Sequence, residues 1–80
     1  KDLINLNETI VTRWLHIEVS PSVQKDLSIE IYNALGQRVF IHHATDQGLI
    51  TLDIAAFADG IYFLKTNHPQ IPTLKFLKTS

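Results

Sequence analysis

The groups that could do chemistry in this chain are four histidines, four serines and eight carboxylates, with no cysteine among eighty residues. A nucleophile needs a base within reach and an orienting group behind that base. Ser20, Ser22 and Ser80 fall in turns or at the terminus, and neither they nor Ser28 sit in a glycine-rich elbow. His42 and His43 are adjacent, so in a strand they face opposite ways and cannot chelate one ion together. His16 and His68 would have to be brought in by the fold, and no metal-ligand spacing is present. Asp53 reads as a hydrogen-bond acceptor at a turn or corner, not as an acid catalyst. The three glycines form no phosphate-cradling string. The expectation is a domain that is not an enzyme, with no catalytic, metal or cofactor residues, that works through its surfaces.

Charge narrows what those surfaces meet. The formal net charge is −1, and the last acidic residue is Asp59, followed only by Lys65, Lys75 and Lys78. Three spread lysines are too few for nucleic acid, whose binding needs a clustered basic patch. A solvated face that protects a sheet edge is the commoner use of such lysines. No run approaches the roughly 18 apolar residues of a membrane helix, so no membrane insertion is expected. A hydrophobic fraction of 45% with 19% charged residues belongs to a globular chain. Eighty residues make one domain, over 1–80, with room for a two-layer core. Cysteine usage does not settle the compartment, and no export signal is visible at Lys1.

The elements that must position these residues read as strands. Residues 1–13 give a weak signal for a first edge strand and a connector. From Trp14, Leu15, Ile17 and Val19 alternate with His16 and Glu18, the period of a half-buried strand. Trp14, on the outward parity or at the strand mouth, reads as a flap over the edge of the core in preference to a ligand-stacking platform. Ser20-Pro21-Ser22 stops that strand, and Leu27, Ile29 and Ile31 mark the next. Asn33-Ala34-Leu35-Gly36 closes a hairpin, because Asn bonds the turn backbone and Gly36 accepts the left-handed conformation. The return strand, 37–43, puts Val39 and Ile41 on one face and Arg38, Phe40 and His42 on the other. A turn at Thr45–Gly48 leads to a strand with Ile50, Leu52 and Ile54 inward. Ala55–Asp59 could close one helical turn. Gly60–Thr66 is apolar on both parities, the mark of a central strand covered on both faces. A loop with Pro69 and Pro72 precedes a last strand, Thr73–Lys78. Six or seven short strands imply an all-β, antiparallel, Ig-like sandwich.

The stretch Leu52–Lys65 organises the rest. Ile54 and Phe57 offer apolar anchors across a corner, and Tyr62 follows Gly60 by two residues. In Ig-like sandwiches a tyrosine at that place, two residues before a buried position such as Leu64, returns its hydroxyl to the corner backbone. An ordinary amphipathic tyrosine at a strand end is the alternative.

With Asn33–Val39 upstream and Leu74–Lys78 downstream, this stretch resembles the C-terminal sorting domain of the type IX secretion system. The likeness runs in order from Leu27 to Ser80. Asn33, Gly36 and Gln37 match the hairpin motif, Gly60 and Tyr62 the Gly-x-Tyr motif, and Lys75, Phe76, Leu77 and Lys78 the terminal strand. The chain departs from the family before its first strand, where a Pro-Asn-Pro-like segment is replaced by Asn5-Leu6-Asn7-Glu8-Thr9. The resemblance implies a signal fused to an N-terminal cargo domain and recognised by the outer-membrane secretion translocon and sortase-like machinery. Its destination is then the cell surface or the medium of a Gram-negative, Bacteroidetes-type bacterium. The last strand would carry most of the recognition, offering backbone and lysines by edge pairing. Other readings are an Ig-like adhesion or carbohydrate-binding module, with Trp14, Tyr32 and Phe40 as its platform, a retained docking domain of the secretion machinery, or a spacer.

Overall fold

An alternating strand has one apolar face to bury, so the first requirement is a second apolar face opposite it. The computed structural model, which describes residues 3–23, 26–44 and 48–80, meets it with two sheets. Their strands are β1 (Ile4–Leu6), β2 (Ile10–Val11), β3 (Trp14–Val19), β4 (Leu27–Asn33), β5 (Arg38–Ala44), β6 (Gly48–Asp53), β7 (Gly60–Thr66) and β8 (Leu74–Lys78). The smaller sheet has the order β1-β3-β6 and the larger β2-β8-β7-β4-β5. All pairings are antiparallel except β2 with β8, which is parallel. Leu15, Ile17 and Leu52 from the small sheet meet Ile29, Ile31, Leu64 and Phe76 from the large one in a single core, which also takes in Val23, Ile54 and Ile71 from outside the strands. The fold class is the expected all-β sandwich, with eight strands among the described residues instead of six or seven.

The face assignments of β3, β4 and β6 hold: Leu15, Ile17, Val19, Leu27, Ile29, Ile31, Leu52 and the flanking Ile54 are buried, and Leu49, Thr51 and Asp53 are exposed. In β5 the split differs at one residue. The β4–β5 register shifts between Ile31 and Tyr32, so that Tyr32 faces Arg38 and Val39 is the additional residue. A bulge of this kind places neighbouring side chains on one face. Arg38 therefore joins Val39 and Ile41 outside, with its guanidinium 3.3 Å from the Glu30 carboxylate, while Phe40 turns toward the core.

Four other expectations are corrected. Ala55–Asp59 makes no helical turn: the Phe57 N–H bonds the Ile54 carbonyl at 3.0 Å, closing a β-turn. One turn of helix is too short to recover its nucleation cost. Strand β7 is third of five in its sheet but covered on one face only, leaving Ile61 exposed and Phe63 half-buried. Trp14 is not a flap on the core. It shares the outward parity of Glu18, is 47% exposed, and has the Arg13 guanidinium 4.7 Å from its ring centre. Finally, β8 is not an edge strand. Strand β2 lies beside it, and the Leu77 and Thr79 N–H groups bond the Thr9 and Val11 carbonyls at 2.7 and 2.9 Å. Thr45 to Gln47, where a turn is expected, lie outside the described residues.

Candidate recognition surface

Asn33 ends β4 with a side chain that can imitate a turn's own main chain. Its Oδ1 accepts the Leu35 and Gln37 N–H groups, both at 3.0 Å, and its Nδ2 donates to Gln37 Oε1 at 3.0 Å. The Gly36 N–H closes the turn on the Asn33 carbonyl at 3.0 Å. Gly36 has φ of 85°, a conformation glycine adopts without strain. Asn33, Gly36 and Gln37 thus hold the hairpin together.

The corner before β7 works in the same way. Gly60, at φ of 149°, turns the chain into β7, and the Tyr62 hydroxyl donates to the Ala58 carbonyl at 2.6 Å. The tyrosine-corner reading is the one observed. The Tyr62 ring is buried between Phe57, 5.1 Å away, and Phe76, 5.6 Å away and nearly parallel at 19°. At the start of the corner, Asp53 accepts the Ala55 N–H at 3.0 Å and an Arg13 N–H at 3.1 Å. These partners, the Ala55 N–H foremost, hold its carboxyl below the usual aspartate range. Asp53 is a corner acceptor, as its place in the chain implies.

Strand β8 divides its four matched residues between two environments. Phe76 is buried in the core. Lys78 is 4% exposed, its Nζ donating to the Thr79 carbonyl at 3.2 Å and lying 3.8 Å from Asp59 Oδ1. It is not a solvated lysine, because it shares the inward parity of Phe76. Asp59 also accepts the Ser80 hydroxyl, at 2.9 Å through Oδ2, so the end of β8 is fastened to the corner before β7. Lys75 and Leu77 face outward.

Register brings the separate motifs together. Asn33 pairs with Tyr62 and Tyr62 with Phe76, one row across three strands, and Gly60 pairs with Lys78. That row is structural. On the opposite face of the same sheet, Leu77 lies between Ile10 and Ile61, and Lys75 is opposite Phe63, which is opposite Tyr32. Ile10, Leu77 and Ile61 are 65, 36 and 44% exposed. Ile10, Ile61 and Phe63 were not singled out from the sequence. The parity of Ile61 and Phe63 against the corner tyrosine was the signal for two of them, whereas a two-residue strand gives Ile10 no period to read.

The aromatic platform is not assembled. Tyr32 lies on the outer face of the large sheet, Trp14 on that of the small sheet, and Phe40 packs inward, 6.1 Å from Phe57. The histidines are dispersed as well: His16 Nδ1 is 3.0 Å from Glu8 Oε1 and His43 Nδ1 is 3.3 Å from Ser28 Oγ. No group of three or more metal-ligating side chains occurs among the described residues.

A family model described as the secretion system C-terminal sorting domain matches residues 11–77. Comparison with curated proteins and with solved structures returned no match.

Proposed function

Because the chain belongs to the family of secretion system C-terminal sorting domains, matched over 11–77, we propose that it is a folded address label, read by direct protein–protein contact on the outward side of β8. The coarse function follows from membership: a C-terminal sorting signal of the type IX system, for export across the outer membrane of Bacteroidetes to the cell surface or medium. The readers are the outer-membrane translocon and its sortase-like machinery, and the passenger is an N-terminal cargo domain of the same chain.

The observation that carries this reading is the division of labour within β8. Phe76 and Lys78 face inward and hold the fold, while Lys75 and Leu77 stand on an uncovered sheet face. Edge pairing along the whole strand is not the mode we propose, since β2 already bonds Leu77 and Thr79. Contact through side chains is what remains open to a partner.

The test is a reporter cargo fused to this domain, followed from periplasm to cell surface. Lys75→Glu with Leu77→Asp is expected to trap the reporter in the periplasm while circular dichroism shows a folded domain. Surface display of a fusion lacking Thr73–Ser80 would overturn the reading.

A further inference from the structure

Beyond the single strand, we infer that the outward row Ile10–Leu77–Ile61, with Phe63, Lys75 and Lys65 beside it, is a docking surface for a partner segment carrying both apolar side chains and carboxylates. The inference rests on the sorting reading and gives the chemistry of its partner. Three strands supply the row, directly opposite one another in register, so its side chains are held by the sheet. A depression of about 370 Å³ lies along it, lined by Thr9, Ile10, Ile61, Lys75, Phe76 and Leu77. A second, of about 420 Å³, is lined in part by Tyr32, Phe63 and Lys65. Exposed apolar side chains in a contiguous row mark interaction sites, whereas single ones do not.

Charge selects the occupant. Among the described residues Lys75 and Lys65 have no ion pair; Lys65 Nζ stands 5.0 Å from the centre of the Tyr32 ring. The carboxylate of Glu30 is held by Arg38 and by the Tyr32 hydroxyl, which donates to it at 2.7 Å. This face therefore presents uncompensated positive charge around an apolar strip. The outer face of the small sheet carries no such excess: Glu18 is exposed there, and Asp53 is paired with Arg13. Complementary potentials accelerate encounter and reject like-charged surfaces, so the partner is acidic.

The experiment measures binding of the purified domain, attached to its cargo, to the purified outer-membrane secretion complex at several salt concentrations. Ile61→Ser and the double variant Lys65→Glu/Lys75→Glu are each expected to weaken binding about tenfold or more, the double variant with a reduced salt dependence. Glu18→Gln, on the far face, is expected to bind like the parent. Unfolding midpoints report whether each variant is folded, and Lys75→Ala provides a second, milder probe. Parent-like affinity in all the large-sheet variants overturns the inference, and if Lys75→Glu with Leu77→Asp still traps a folded reporter in the periplasm the sorting reading stands. Failure of the unaltered fusion to be exported brings down both. A parent domain that sediments as a dimer, with monomeric face variants that bind the complex normally, assigns the row to self-association and also overturns the inference.

Discussion

Tyr62 spends its hydroxyl inside the fold, on the Ala58 carbonyl, so its place two residues after Gly60 has a structural use. Tyr62→Phe removes one hydrogen bond while keeping the ring between Phe57 and Phe76. The expected cost is about 1 kcal/mol, because water can reach the exposed Ala58. In a domain of this size that lowers the melting temperature by roughly 4–8 °C in calorimetry. Gly60→Ala costs about 1–3 kcal/mol from the backbone alone, since nothing lies within 4 Å of an added Cβ. Asp53 gives a pH signature. Its folded carboxyl is held down by the Ala55 N–H and Arg13, so the stability it adds is full above the unfolded aspartate value and is lost as pH falls through the folded one. Asp53→Asn is expected to flatten the acid limb of the urea midpoint against pH by lowering the midpoint near neutrality, with little effect once pH has fallen below the folded carboxyl's value.

At the scale of the element, β8 is structural timber, and the lettering we propose is confined to its outward side. Phe76→Ala costs about 3–5 kcal/mol, a large share of the roughly 5–15 kcal/mol that holds a small domain together. Deleting Thr73–Ser80 is therefore expected to unfold the chain, seen as loss of strand signal in circular dichroism. Loss of export by that deletion alone does not separate recognition from folding, and substitutions at Lys75 and Leu77 do. Lys78→Met is expected to keep the melting temperature within a few degrees, because a hydrophobic chain of similar volume avoids desolvating an ammonium. Lys78→Glu, placed near Asp59, is expected to lower it. The faces of β3, β4 and β6 were legible because each has apolar residues at one parity only. Strand β8 was not: Lys75-Phe76-Leu77-Lys78 offers one lysine and one apolar residue to each side. Its direction is decided by Phe76 stacking on Tyr62, a contact no local pattern contains. The bulge that moves Arg38 outward is likewise a product of pairing between strands.

For the whole molecule, one core joins both sheets, and we expect a single cooperative unfolding transition, with coincident circular dichroism and calorimetric midpoints. Trp14 supplies a contrasting probe. Being half-exposed on the outer face of the small sheet, it is expected to emit like indole in water even in the native protein and to report unfolding weakly. The sandwich and its corner were readable from turn residues and alternation. The flanking of β8 by β2 was not, because Ile10 and Val11 owe their strand geometry to a partner at the far end of the sequence. That parallel pairing makes the two ends of the matched region halves of one seal. A polypeptide broken off before Leu74 has nothing to set beside Ile10, and one clipped after Val11 leaves Leu77 without its neighbour.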